Sequence, residues 1–336
     1  MADKEVMQFS SVKFRHKVPA PKWFNPFKKQ HGAGIAELDL TLQSGKIVGL
    51  VGTNGAGKTT LLRMMSGVLP IESGNVTANG TILSSQELRR RVGFMPEHVR
   101  WSGHESVEQT LVEFALLRGC SKDSALEVLG VIGLKNRASS PLDSLSQGMR
   151  QRLSLGIALL GTPDVLVLDE PFNGLDPVAI DAFKRLLQSL ARKGIAIVIS
   201  SHHLFELDQL IDTLALLHRG QLVAHGTTVS IQEKLGFEQL TEVCLDSELP
   251  KKLMNGLEVL EHSSTDKTHH MILQSVPNKL LKEIVESGIG VITWREIQPS
   301  LIELLCAATG LDRQNIGMNV ENSAWLPMRK LQEEEE

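Results

Sequence analysis

Ile47-Val-Gly-Leu-Val51, followed by Gly52-Thr-Asn-Gly-Ala-Gly57-Lys58-Thr59, decides the fold. Five apolar residues without polar alternation read as a strand buried on both faces, the kind found inside a parallel sheet. The next eight match the phosphate-loop pattern, and Thr60–Gly67 then reads as a helix. Glycines let backbone N–H groups converge on phosphate oxygens, and the helix start adds partial positive charge. Lys58 is expected to reach the β- and γ-phosphates, and the Thr59 hydroxyl to ligate Mg²⁺. The candidate contacts are Gly52, Asn54, Gly55, Ala56, Gly57, Lys58, Thr59 and Thr60.

Two further apolar runs, Val165–Leu168 and Ile195–Ile199, have the same character. A helical pattern, Val178 to Lys193, lies between them and stops at Gly194. Strand–helix alternation argues for an α/β core. The run Val165–Leu168 ends in Asp169 and Glu170. Asp169 stands where a carboxylate holds Mg²⁺, directly or through water, and Glu170 where a general base polarises the attacking water. Alone, such a pair would read as a solvated strand end; the phosphate loop gives it chemistry.

Between the phosphate loop and Asp169 lies Leu145-Ser146-Gln147-Gly148-Met149-Arg150-Gln151-Arg152. With it, the chain resembles the ATP-binding-cassette ATPases over roughly residues 5–228. This stretch looks like the family's signature sequence, whose Ser and second Gly, here Ser146 and Gly148, contact the γ-phosphate held by another subunit. A hydroxyl, a glycine N–H and a helix start also make an anion site on physical grounds. Gln147 and Met149 depart from the commoner Gly and Gln and leave Ser146 and Gly148 intact. Gly174-Leu-Asp176-Pro177 is similar to the family's D-loop, and His202 matches its switch histidine. Val92–Glu97 looks like the Q-loop, with Glu97 in place of Gln; a carboxylate there still ligates Mg²⁺ or orients water. His203 stands where the family usually has Asp. Aligning Met7–His16 with the family's first strand puts His16 at the adenine-stacking position, with Phe14, Trp23, Phe24 and Phe27 as alternatives.

The resemblance implies a P-loop core with a parallel sheet, an antiparallel β-subdomain and a helical insertion at about 99–162. The cassette is expected over 1–235, a small α+β accessory domain over 238–310, and a tail over 311–336. Within the insertion, helices are expected at Ser106–Arg118, where Ser106 and Gln109 form a capping box, and at Asp123–Ile132. In the accessory part, strands are expected at Leu240–Leu245, His270–Gln274 and Gly290–Trp294, and helices at Asn278–Glu286 and Pro299–Ala308. Near the N-terminus, Met7–His16 and Ile35–Leu42 read as strands, and the basic, Pro- and aromatic-bearing stretch Lys17–Gly34 as a loop. The Glu333–Glu336 charge run reads as a solvated tail.

A formal net charge of −4 over 336 residues argues against a general nucleic-acid binder. Cys120, Cys244 and Cys306 fit no metal spacing and read as buried thiols of a reducing compartment. Met1–Ser10 has no basic start followed by an apolar run, so no secretory signal is expected. The resemblance implies ATP and Mg²⁺ as cofactors and ATP hydrolysis in a head-to-tail pair, a homodimer or a heterodimer with a similar cassette. It implies an integral-membrane transporter subunit as partner, at the cytoplasmic face of the membrane. Gln298–Leu305, followed by Thr309-Gly310, resembles the end of ABC-2-type subunits, favouring export. The alternative is a soluble cassette ATPase linked to nucleic acid, ribosomes or cluster assembly. Against it, no sustained heptads separate Lys58 from Ser146.

Overall fold

Five strands run parallel through the centre of the first unit, and the C-terminal ends of four of them lead into the candidate site residues. The computed structural model describes residues 4–19, 29–265, 268–274, 276–277 and 279–311. It divides into two compact units, Met1–Thr227 and Thr228–Glu336. The division falls before the boundary expected near residue 235, because the helix Thr228–Lys234 belongs with the second unit.

The first unit contains β1 (Glu5–Pro19), β2 (Lys29–Gln43), β3 (Ile47–Val51), β4 (Ser73–Ala78) and β5 (Thr81–Ile82). It continues with β6 (Val92–Met95), β7 (Val165–Asp169), β8 (Ala196–Ser200), β9 (Thr213–His218) and β10 (Gln221–Gly226). The central sheet has the order β10-β9-β3-β8-β7-β6, parallel throughout except for β10. Every residue of β3, β7 and β8 is buried, as their apolar runs require, with polar Asp169 and Ser200 buried at the ends of β7 and β8.

The second sheet, β2-β1-β4-β5, is antiparallel. Alternating Met7, Phe9, Phe14, Leu38, Leu40 and Leu42 pack inward with Leu61, Leu62, Met64 and Met65 of α1 (Lys58–Met65). Here the sequence reading needs correction. Lys17–Pro19 and Lys29–Gly34 continue the two strands instead of forming a loop. Cross-strand pairing, Lys17 with His31 and Pro19 with Lys29, overrides the local Pro and Lys composition. Trp23, Phe24 and Phe27 lie outside the described residues.

After α2 (Ser85–Arg91), the helical insertion holds α3 (Val107–Leu117), α4 (Lys122–Val131) and α5 (Gln147–Leu159). Ser106 caps α3 through the expected box: its hydroxyl accepts from Gln109 N–H at 3.1 Å, and Gln109 Oε1 accepts from Ser106 N–H at 2.9 Å. α6 (Pro177–Arg192) and the short α7 (Leu204–Asp208) complete the unit.

The second unit holds β11 (Leu240–Leu245), β12 (Glu258–Ser264), β13 (His269–Gln274) and β14 (Val291–Ile297) in the antiparallel order β12-β13-β11-β14. Its helices are α8 (Thr228–Lys234), α9 (Lys251–Met254), α10 (Leu280–Glu286) and α11 (Leu301–Thr309). Val243, Leu245, Met271, Leu273, Leu280 and Ile284 form its core. β12 has no counterpart in the sequence reading: six of its seven residues are exposed, so no apolar alternation marks it. Cys306 is buried as expected, whereas Cys120 and Cys244 are only half-buried. The Glu333–Glu336 tail lies outside the described residues.

α5 meets the central sheet at Gly93 of β6, where an added Cβ would stand 2.0 Å from the Ala158 carbonyl oxygen. Gly93→Ala is therefore expected to destabilise the first unit by about 1–3 kcal/mol, the usual range for overpacking. Urea unfolding followed by circular dichroism measures it, and an unchanged midpoint would show that helix and strand separate at no cost.

Candidate functional site

The sheet brings four loops to one edge. β3, β8, β7 and β6 are consecutive neighbours, and each runs directly into candidate residues at its C-terminal end. The crevice beyond such strand ends is where open α/β sheets bind ligands. It is a cleft of about 540 Å³ lined by Asn54–Thr60, Glu97, Asp169, Glu170 and His202.

Gly52 leads β3 into the loop, and a Cβ there would stand 2.3 Å from the Leu217 carbonyl oxygen. Gly57, at φ 106°, precedes α1 in the left-handed region, and no side chain caps that helix start. The first N–H groups of α1 are thus left without a side-chain acceptor. Lys58 Nζ donates to the Gly52 carbonyl at 2.7 Å and the Thr53 carbonyl at 3.4 Å. Burial lowers its pKa, opposed by the charges of Glu170, Asp169 and Glu97.

Asp169 ends β7 and is only 2% exposed; its Oδ1 accepts from Ser200 Oγ at 2.6 Å. Glu170 follows in the left-handed backbone region at φ 51°, a conformation costing a non-glycine residue about 1–2 kcal/mol. Its backbone N–H donates to the Ser200 carbonyl at 3.0 Å, holding that turn. Its Oε2 accepts from His202 N–H at 3.0 Å and lies 2.8 Å from His202 Nδ1. The strained turn aims a nearly buried carboxylate at the cleft while His202 stays largely open.

Glu97 Oε1 accepts from Asn173 Nδ2 at 3.1 Å, and Gln151 of α5 donates to the Asn173 carbonyl at 3.4 Å. Asn173 and Ser200 were not singled out from sequence as site residues. A polar residue ending a buried apolar strand was the available signal for Ser200; nothing local distinguished Asn173.

His16 does not line this cleft. Its Nε2 lies 3.4 Å from the Thr60 hydroxyl, beside the start of α1, and Phe14 packs against its ring edge-on at 4.8 Å. Ser146, Gly148 and Asp176 also stand outside it. Ser146 caps α5, accepting from Met149 N–H at 3.4 Å. Asp176 caps α6, accepting from Ala179 N–H at 2.8 Å, with Pro177 at the first helical position. Asp176 thus has a sufficient structural role within the chain. Gly148 does not: a Cβ would meet only Ala179 Cβ at 3.5 Å and Leu175 Cδ2 at 3.8 Å, ordinary contacts. Nothing inside the chain demands glycine in that first helical turn, where it weakens the helix.

Thr59, Asp169 and Glu97 offer only oxygen donors, which suit a hard cation such as Mg²⁺. Among the described residues no three acidic, His or Cys groups are spaced to hold a metal by themselves. Phosphate oxygens and water would have to complete the shell. The site as built can grip a polyphosphate that brings a cation with it and direct a water at it.

Comparison with known proteins agrees with this geometry. Residues 35–173 match the family model described as ABC transporter. The linearmycin resistance ATP-binding protein LnrL of Bacillus subtilis (strain 168) is 27% identical over 300 residues, covering 84% of this chain and 96% of that protein. The lantibiotic transport ATP-binding protein SrtF of Streptococcus pyogenes is 32% identical over 198 residues, 58% of this chain and 86% of that protein. Among solved structures, an ATP-binding subunit of an ABC transporter superposes with a TM-score of 0.56 at 27% identity, covering 69% of this chain and 93% of that one.

Removing the Ser200 hydroxyl would leave buried Asp169 short of a donor. Ser200→Ala is expected to lower stability by about 1–3 kcal/mol, the cost of an unsatisfied buried polar group. Chemical denaturation measures it; a change below a few tenths would mean that Asp169 finds another donor.

Proposed function

This chain belongs to the ABC transporter family as an ATPase and ATP-binding subunit, and we propose that it powers a separate membrane-spanning exporter by closing head to tail with a second chain around ATP. The observation that carries the two-chain reading is the separation of the site's halves. Lys58, Asp169, Glu170 and His202 share one cleft, while Ser146 and Gly148 stand outside it on a helix start whose glycine has no internal cause. A second chain supplies the missing half: its Ser146 hydroxyl and Gly148 N–H bind the γ-phosphate held by this chain's loop.

In this reading the loop Gly52–Thr60 holds the phosphates, with Lys58 on the β- and γ-groups. His16, beside Thr60, faces the adenine. Thr59, Asp169 and Glu97 hold Mg²⁺, which when bound offsets phosphate charge. Glu170 takes a proton from the attacking water, and the bond from the γ-phosphorus to the bridging oxygen breaks to give ADP and phosphate. His202 orients the Glu170 carboxylate and contacts the γ-phosphate. Asp176 lies at the seam between the two chains.

Export is favoured by the relatives whose names concern resistance and lantibiotic transport. The LnrL match spans more residues than the first unit holds, so it reaches into the second unit. We assign the region 238–310 as an accessory domain of the exporter type. None of the described helices is long and apolar enough to cross a membrane. Relatives named as transport ATP-binding proteins support attachment at the cytoplasmic face through an integral-membrane partner, and the net charge of −4 argues against nucleic acid as a partner.

Glu170→Gln is expected to slow steady-state turnover about 10²–10⁴-fold while leaving ATP binding intact. Near-normal turnover would remove Glu170 from the role of base. Lys58→Ala is expected to weaken ATP binding itself in an equilibrium titration, and undiminished affinity would contradict its assignment. Affinity purification from membranes is expected to bring down a multi-span chain in stoichiometric amount; a reproducibly solitary ATPase would favour the soluble alternative.

A further inference from the structure

Glu170 and His202 meet at 2.8 Å but belong to different loops, one after β7 and one after β8. Neighbouring residues of α6 grip both loops. Phe183, 1% exposed, packs edge-on against Phe172 with ring centroids 6.3 Å apart, and Phe172 lies two residues beyond Glu170. Lys184 Nζ donates to Glu206 Oε2 at 2.5 Å and to Gln209 Oε1 at 2.9 Å. Glu206 lies four residues beyond His202, in the first turn of α7.

α7 needs such a grip. Five residues are too few to hold a helix by propensity alone. Leu207 is the only one of the five that is buried, and Phe205 is 74% exposed. No side chain caps the helix at His203. The side chain of Lys184 is only 13% exposed and that of Glu206 27%, so little water stands between the two charges. α6 is a firm base for them: it runs for 16 residues, with Ile180, Phe183, Leu187, Leu190 and Ala191 buried.

We propose that Lys184 is a positioning residue for ATP hydrolysis: it ties α7 to α6 and so keeps His202 on the Glu170 carboxylate. The inference rests on the reading above, in which Glu170 is the base and His202 orients it. Phe183 fixes the loop of the base and Lys184 the loop of the histidine. The two grips are adjacent on one helix, so a single rigid element sets how the pair meets. Lys184 does not line the cleft, so it acts through His202 and not on the nucleotide. A misplacement of about 1 Å in such a pair is enough to slow turnover by one to two orders of magnitude.

The test measures steady-state turnover and equilibrium MgATP affinity in Lys184→Met, His202→Ala and the double variant. Methionine keeps the apolar stem of the lysine and removes its charge. Lys184→Met is expected to lower kcat about tenfold, with MgATP affinity and melting temperature unchanged. In a chain already carrying His202→Ala, it is expected to cost no further turnover, because its effect runs through the histidine. Lys184→Arg keeps the charge and has donors for both acceptors, and is expected to recover most of the loss. Native turnover in Lys184→Met overturns the proposal, as does full additivity in the double variant or an arginine no better than methionine. A joint fall of melting temperature, MgATP affinity and kcat also overturns it, marking a purely structural lysine. If His202→Ala alone leaves turnover unchanged, the histidine reading falls and takes this role with it. Hydrogen exchange gives a second readout. The His202 N–H, which donates to Glu170 Oε2 at 3.0 Å, is expected to exchange faster in Lys184→Met while β7 and β8 keep their protection; unaltered exchange at His202 overturns the tie.

Discussion

Lys58 carries its charge in a place that disfavours charge. Its ammonium is folded onto the carbonyls of Gly52 and Thr53, partly desolvated, with Asp169, Glu170 and Glu97 around the same cleft. Three carboxylates against one lysine leave the cleft with an excess of negative charge. A polyphosphate enters such a cleft favourably only with a cation beside it, which is the physical case for MgATP over free ATP. The first unit has to keep these four charged groups at fixed positions.

The parallel sheet does that work. Because β3, β8, β7 and β6 lie side by side, four loops distant in sequence emerge within reach of one triphosphate. Burial of every residue in β3, β7 and β8 makes their register unyielding. The rigid frame in turn supports the strained backbone at Glu170, held by Ser200 and His202. The helical insertion is attached differently, through hydrogen bonds at Asn173, Trp101 and Arg118 and the close approach at Gly93. A stiff catalytic edge and a separately attached helical arm fit the proposed pairing of two chains around a ligand.

Much of this was legible in the residues. Continuous apolar runs marked β3, β7 and β8, the glycine pattern marked the phosphate loop, and Ser106 with Gln109 marked the start of α3. What stayed hidden depends on distance. β12 is an exposed edge strand, paired through its backbone and carrying no apolar signal. The extension of β1 and β2 past His16 comes from cross-strand pairing that overrides a Lys- and Pro-rich composition. Asn173 and Arg118 act through carbonyls and side chains far away in sequence, and no local spacing announces such contacts. The division of the chain ahead of α8 is likewise a matter of which unit the helix packs with.

The central claim is that a phosphate site is split between two chains, and chain mixing tests it directly. One chain carries Lys58→Ala and keeps Ser146; the other carries Ser146→Arg and keeps Lys58; both carry Glu170→Gln to stop turnover. The account predicts that neither associates alone with MgATP, whereas an equimolar mixture forms pairs that retain one ATP, since one complete pocket is rebuilt across the seam. A mixture that stays single-chained and retains no nucleotide, beside Glu170→Gln chains that pair normally, would contradict it.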